Sequence, residues 1–347
     1  TGRPKGVMLS HDNILSCIRA IDAVFRVEAT DVSLGIRPFF HAVGYSATVW
    51  LPLTLDRGVV YHFDPFGADV IGRIARTHQA TLLYATHTFL RLYLRRCDPD
   101  DLATIDLAVV GAEKLAPELA RDFHERFGTT VVEGYGATEL SPWVSVNIPD
   151  HRALVPQRSG DRPGTVGRPL PGIDVRIVHP ETREPLPSGE PGLLLVHGPN
   201  VMRGYWKELE KTASVIRDGW YDTGDFALLD EDGFLTITGR QSRFSKIGGE
   251  LVPHELIENT ILKLITADGT ESTVIPQPVA VTSVGDRKKG ERLVVVYSLL
   301  GGMSPKDVVR ELAAGDLPNL WIPKARDFVH VKELPLTSIG KLDLGAI

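Results

Sequence analysis

Several things are scarce in this sequence, and each shortage removes a class of protein. Cysteine occurs twice, at Cys17 and Cys97. The two lie far apart with no C-x-x-C spacing, so neither a disulfide framework nor a thiolate metal site is expected, and both read as ordinary reduced thiols. Aromatic residues make up only 7% of the 347 residues. No run of about 18 apolar residues exists. The longest weakly polar stretch, Ala42 to Leu55, is too short for a span and is broken by Pro52. A basic excess is also lacking. The formal net charge is −6, which argues against a nucleic-acid binder. No secretory signal pattern, internal repeat or low-complexity tract is visible.

What is present points to a globular chain. Hydrophobic residues reach 43%, enough for sizeable cores, and 33 glycines with 24 prolines imply many turns. The length favours two or more domains. The chain opens on Thr1 rather than Met, inside what reads as a motif, so an N-terminal piece is expected before it.

From residue 12 to about 130, helical and strand patterns alternate. His11-Asp12-Asn13 offers a helix start with Asp or Asn as the N-cap. Strands are expected at Val59–Phe63, Thr81–Tyr84, Leu107–Val110 and Thr130–Glu133. Helices are expected at Asp69–Arg76, Thr88–Arg96 and Pro117–Phe127, the last with proline in its first turn. This alternation predicts an α/β fold with a parallel sheet. From Arg162 to Gly239 short β-rich runs alternate with Gly/Pro turns, which predicts a small β-barrel or sandwich. A short α+β tail follows Arg240. In it, Val279–Val284 and Arg292–Leu299 read as a hairpin across a charged turn, Gly285 to Gly290. The expected domains are 1–160, 161–240 and 241–347.

Five motifs carry chemistry. Thr1-Gly2-Arg3-Pro4-Lys5-Gly6 has glycines that let backbone N–H groups approach an anion and a lysine to neutralise it. It does not match the Walker pattern. Gly134-Tyr135-Gly136-Ala137-Thr138-Glu139 follows a strand. Tyr135 offers a flat face to a purine, Thr138 a hydroxyl to a phosphate and Glu139 a carboxylate to Mg²⁺. Tyr221-Asp222-Thr223-Gly224-Asp225 sets carboxylates in a turn, where Asp225 has two oxygens for ribose hydroxyls. Gly239-Arg240 ends a strand with a cation. Near the C-terminus, Lys341 sits on a Gly-containing loop and is suited to bridging two anions. Taken singly, each also reads as an ordinary loop, an Asx turn or a solvated charge.

Together and in order, these motifs resemble the adenylate-forming superfamily of acyl-CoA synthetases, peptide-synthetase adenylation domains and luciferases. Pro38-Phe39-Phe40-His41 and Gly111-Ala112-Glu113 belong to the same resemblance, which runs from Thr1 to Asp343. Ser145-Val146-Asn147-Ile148-Pro149-Asp150 and Arg243-Phe244-Ser245-Lys246-Ile247-Gly248-Gly249-Glu250 look like the acyl-[acyl-carrier-protein] synthetase type. In bacteria that type is often fused to a lysophospholipid acyltransferase. The resemblance implies a truncated large AMP-binding domain, with an α/β layer and β-barrel subdomain, followed by a small α+β domain.

The resemblance also implies roles. Thr1, Gly2 and Lys5 would cradle phosphates. Gly111, Ala112 and Glu113 would line the adenine site with Glu133, Gly134 and Tyr135. Gly136 and Ala137 would carry the turn to Thr138 at the α-phosphate and Glu139 at magnesium. Asp225 and Arg240 would hold the ribose. Lys341 would act in adenylation, His41 near the acyl pocket, and Gly248 and Gly249 along the thiol's path. Arg243 would mark a hinge about which the small domain rotates. ATP and Mg²⁺ are implied as cofactors. A carboxylic acid is the implied substrate and acyl carrier protein the acceptor, with CoA as the alternative. A non-catalytic nucleotide-binding module is the competing reading from another class. The implied location is cytoplasmic, at the inner face of the membrane if an acyltransferase is attached. The family has a large subdomain before the position of Thr1, so apolar surface left uncovered is expected.

Overall fold

A computed structural model describes residues 5–156, 160–266, 278–286, 288–336, 342–343 and 346–347. Thr1, Gly2 and Lys341 lie outside the described residues. The chain divides into two compact units, Lys5–Thr238 and one beginning at Gly239.

The large unit is built on a seven-stranded sheet. Its strands are β1 (Val32–Gly35), β2 (Gly58–Tyr61), β3 (Leu82–Ala85), β4 (Leu107–Val110), β5 (Thr130–Gly136), β6 (Trp143–Val146) and β7 (Arg168–Pro169). Their order is β2-β1-β3-β4-β5-β6-β7. The first five are mutually parallel; β6 runs antiparallel to β5, and β7 antiparallel to β6. Every residue of β3 is buried, as expected where both sheet faces are covered. One face packs on α2 (Ala68–Thr77), α3 (His87–Arg96) and α4 (Pro117–Phe127) through Ile71, Leu90 and Phe123.

On the other face lies α1 (His11–Asp22), whose Ile14, Cys17, Ile18 and Ile21 fall at the spacing of a single helix face and are all buried. The expected start of α1 is corrected. Its N-cap is Ser10, and Asn13 occupies N3, where its side chain returns to the Ser10 N–H at 2.9 Å. Both cysteines are buried, and burial pushes each thiol up to about 12, so neither is reactive.

The β-rich stretch forms a second sheet from β8 (Asp174–Val178), β9 (Gly192–His197), β10 (Ile216–Arg217), β11 (Trp220–Leu229) and β12 (Leu235–Arg240). The ladders β8–β9, β9–β11 and β10–β11 are antiparallel, and β12 also pairs with β11. Apolar side chains nonetheless remain exposed in the large unit. Phe40 is 83% and Phe63 91% accessible.

The small unit has strands β13 (Phe244–Ile247), β14 (Glu250–Pro253), β15 (Val279–Asp286), β16 (Gly290–Tyr297) and β17 (Phe328–His330). Its helices are α5 (His254–Ile265) and α6 (Pro305–Ala314). The order is β14-β13-β16-β15, with β17 parallel to β16. The hairpin turn is shorter than expected, because Asp286 pairs with Gly290 and the ladder continues to its tip. Among the described residues no helix is long and apolar enough to cross a membrane.

A buried ion network ties the start of the sheet to a distant loop. Arg152 meets Asp31 Oδ2 at 2.7 Å and Asp106 Oδ2 at 2.6 Å, and Arg152 and Asp31 are both nearly inaccessible. Burial works to raise the Asp31 pKa, but hydrogen bonds from Arg152 and Thr81 outweigh it and hold the carboxyl below its usual range. Removing one partner of such a pair strands a buried charge. Arg152→Leu is therefore expected to destabilise the large unit by about 3 kcal/mol at neutral pH. The deficit should shrink in acid, because a depressed carboxyl contributes stability above its unfolded pKa and loses it as pH falls through the folded one. Denaturant titrations at neutral and strongly acidic pH check this; an equal deficit at both would refute the Asp31 pairing.

Candidate ligand-binding site at the carboxyl edge of the sheet

In open α/β sheets, ligands bind beyond the carboxyl ends of parallel strands. In the large unit that edge holds the residues after β1, β3, β4 and β5. The tightest geometry occurs after β5, where the chain turns back into β6. A Cβ on Gly136 would stand 1.8 Å from the Pro142 carbonyl oxygen, and one on Gly134 would stand 3.2 Å from that of Ser145. The glycines are thus demanded by the returning strand. The turn they permit presents Thr138 and Glu139 in a short 3₁₀ segment, with Thr138 exposed. A distant loop fixes this turn, since Met202 N–H donates to the Glu139 carbonyl at 2.8 Å and Asn200 Nδ2 to that of Leu140 at 3.1 Å.

Glu139 is held from two sides. The buried Tyr205 hydroxyl donates to its Oε1 at 2.8 Å, and Lys5 Nζ lies 3.8 Å from the same oxygen. Lys5 also donates to the Tyr205 hydroxyl at 3.3 Å and sits 4.6 Å above its ring. Burial, then the Glu139 carboxylate, pushes Tyr205 up to about 12, and burial raises its neighbour Tyr221 far above the usual phenol range. Both phenols are therefore fixed neutral donors. Reading motifs one at a time missed Tyr205, which stands 66 residues from Glu139.

Tyr135 and Asp225 come together as well, with the Tyr135 hydroxyl donating to Asp225 Oδ2 and both residues buried. The Asp225 turn is set by Thr223, whose Oγ1 accepts from Asp225 N–H at 3.0 Å, and by Gly224 at φ 69°.

The other expected residues are more dispersed. Glu113 spends its carboxylate on the first turn of α3, accepting from Thr88 N–H and Oγ1 at 3.0 Å each. Ala112 before it is left-handed, φ 69°. Glu133 accepts from Leu115 N–H at 2.9 Å, and burial raises its pKa. These two side chains hold loops, and Gly111, just past β4, and Gly134, near the end of β5, bring backbone to the edge. His41 caps a short helix, its Nδ1 accepting from Val43 N–H at 3.2 Å. The guanidinium of Arg37, which sequence reading did not single out, lies 3.1 Å from His41 Nε2 and is 7% exposed.

In the small unit, Arg240 is exposed at the end of β12. Gly248 (φ 60°) and Gly249 (φ 94°) form the β13–β14 turn. Arg243 is 6% exposed and pairs with Glu258 while donating to the Val281 carbonyl at 3.2 Å. Its side chain is a core anchor. Beside it, Ser245 Oγ contacts His254 Nε2, and burial with the Arg243 charge lowers the imidazole to about 4.

The fold is of the α/β class, with a carboxylate, a lysine and a tyrosine–aspartate pair at the carboxyl side of a mainly parallel sheet. Comparison with known proteins gives the family. The sequence profile of the AMP-binding enzyme family matches residues 1–206, and the chain belongs to that family. It is 33% identical to a long-chain-fatty-acid–CoA ligase of Bacillus subtilis, over 99% of this chain and 58% of the relative. It is 31% identical to a feruloyl-CoA synthase of an Amycolatopsis species, over 100% of this chain and 67% of the relative. Among solved structures, ATP-bound MatB from Rhodopseudomonas palustris is similar at a TM-score of 0.81 and 31% identity, covering 100% of this chain and 65% of that one. The chain thus spans about three fifths to two thirds of the length of these relatives.

Tyr205→Phe removes one donor to Glu139 and leaves the ring in place. It is expected to lower the stability of the large unit by about 1 kcal/mol, measured by denaturant unfolding. A neutral effect would mean that the hydroxyl does not hold the carboxylate.

Proposed function

We propose that the protein containing this chain activates a carboxylic acid with ATP as an acyl-adenylate and passes the acyl group to the thiol of CoA. The observation that carries the reading is the Lys5–Glu139–Tyr205 cluster at the β5–β6 turn, a carboxylate held by a phenol with a cation beside it where the phosphates of a nucleotide would lie. The named relatives are CoA ligases that act on fatty and aromatic acids, which supports CoA as acceptor and leaves the acid's tail open. The carrier-protein acceptor and the acyltransferase fusion suggested by the Arg243–Glu250 wording have no counterpart among those relatives.

Glu139 suits a magnesium ion that arrives with the nucleotide. Tyr205 and Lys5 both engage Oε1 among the described residues. Among the described residues no group of three or more acidic, histidine or cysteine side chains could cage a metal. One carboxylate plus phosphate oxygens and water is the usual magnesium arrangement. The ion would supply positive charge at the phosphates.

The remaining roles belong to the chain. Attack of the acid's carboxylate oxygen on the α-phosphorus brings two anions together and expels pyrophosphate. Lys5, 3.8 Å from Glu139, is placed to move onto phosphate oxygens, and the exposed Thr138 hydroxyl to donate to the α-phosphate. Asp225, oriented by Tyr135, would accept from the ribose, with Arg240 as a further partner. In the second step the thiol sulfur attacks the acyl carbon, the bond to AMP breaks, and the thiol proton leaves. Lys341 is proposed for the first step and the Gly248-Gly249 turn for the second. A pivot near residue 240 would lie in the backbone, because the Arg243 side chain is committed to Glu258.

In the complete protein, Glu139→Gln is expected to lower ATP–pyrophosphate exchange on the order of a hundredfold with an unchanged unfolding midpoint. Exchange at the wild-type rate would remove Glu139 from the site. Thioester formation should be faster with CoA than with a phosphopantetheinylated carrier protein; the reverse ranking would overturn the acceptor.

A further inference from the structure

Among the described residues three arginines are buried, Arg37, Arg152 and Arg243. Two of them have counter-ions. Arg152 meets Asp31 and Asp106, and Arg243 meets Glu258. Arg37 has none, since no described carboxylate stands within ion-pair distance of it. Its Nε is buried without a hydrogen-bond partner. The polar contact its side chain does make is Nη2 against the imidazole nitrogens of His41, at 3.1 and 3.3 Å. Burial lowers the guanidinium pKa, and the charge of Glu113 offsets only part of this. Glu113 is itself spent on Thr88 at the start of α3. A buried charge left without a partner is costly. A guanidinium has donors only, so an acceptor must complete it, and a carboxylate that takes two N–H bonds does so best.

Arg37 stands two residues past β1, at the same edge of the sheet as the candidate site. Its guanidinium lies 5.8 Å from the ring centre of Phe89, in the first turn of α3. Phe89 packs edge-on against the exposed Phe66, with ring centres 5.4 Å apart. The cation is thus flanked by apolar ring surface, which suits a methylene chain ending in a charge. Strands β3 and β4 separate β1 from β5, a distance of about 14 Å at the usual strand spacing. A group that meets Arg37 is therefore remote from the carboxylate that reacts at the β5–β6 turn. An acid that fills both places carries a second carboxylate at its far end.

We propose that Arg37 is a specificity-determining residue and that the acid activated by this protein is a dicarboxylic acid, its unreacted end held by the Arg37 guanidinium. The proposal rests on the adenylation reading and adds to it the chemical class of the acid. The remote carboxylate stays unchanged through both steps, so Arg37 contributes binding and selection only.

The test uses the full-length protein and ATP–pyrophosphate exchange. Straight-chain dicarboxylic acids of increasing length are each compared with their monomethyl ester, which keeps one reactive carboxylate and a neutral far end. At the best length the diacid should exceed its ester in kcat/KM by about tenfold or more, the worth of one charged hydrogen-bonded contact. Arg37→Leu should erase that preference through a loss on the diacid, with the KM for ATP unchanged. Arg37→Lys, which keeps the charge, should recover part of it. An ester used as well as its diacid by the wild-type protein at every length would overturn the proposal without any variant. An equal loss on diacid and ester in Arg37→Leu would also overturn it, because a purely structural arginine behaves that way. Exchange with no acid at all would count against the adenylation reading. Calorimetry of diacid against ester then decides the Arg37 contact by itself, and equal or absent binding would overturn it.

Discussion

The candidate site depends on one steric constraint, the absence of room at Gly136. With the Pro142 carbonyl where a Cβ would stand, only glycine lets β5 fold directly back into β6. At that turn the parallel sheet becomes antiparallel, and the reversal lifts Thr138 and Glu139 out beyond the strand ends. A larger residue would push the two strands apart and take Glu139 away from Tyr205 and Lys5.

The turn alone does not hold the carboxylate. Asn200, Met202 and Tyr205 arrive from one loop and bond the Leu140 carbonyl, the Glu139 carbonyl and the Glu139 side chain in turn. Backbone and side chain of one residue are thus fixed by a single distant segment, and Lys5 adds its charge without displacing either. In the small unit, Arg243 plays a comparable anchoring part, joining α5 to β15 through Glu258 and the Val281 carbonyl. Glu258 in turn accepts from Val281 N–H, so the buried charges are met on several sides.

Much of the fold was legible. Leu107–Val110 and Pro117–Phe127 have the expected bounds, because an all-apolar run before Gly111 and a proline-led amphipathic run ending at Gly128 leave no competing pattern. The errors have physical causes. Gly134 and Gly136 read as a turn, yet β5 continues through both, because cross-strand packing against β6 overrides the glycine signal. The hairpin glycines misled in the same way, with Gly285 and Gly290 both inside the ladder. At the start of α1 a cap was expected at the acidic or amide residue, and Ser10 took it because Asn13 completes a reciprocal box three residues on. Of the candidate site, the residues inside motifs were legible and their partners were not.

The sequence by itself determined the alternation of strands and helices, the order of the motifs and the resemblance they carry, because these depend on spacing along the chain. It also set the absence of an apolar run long enough to span a membrane. Tertiary structure decided what each polar group does. Glu113 and Glu133 became loop anchors, Tyr135 became the partner of Asp225, and Tyr205 the holder of Glu139. Those outcomes depend on distances between segments far apart in the chain, which are fixed only when the sheets close over their cores.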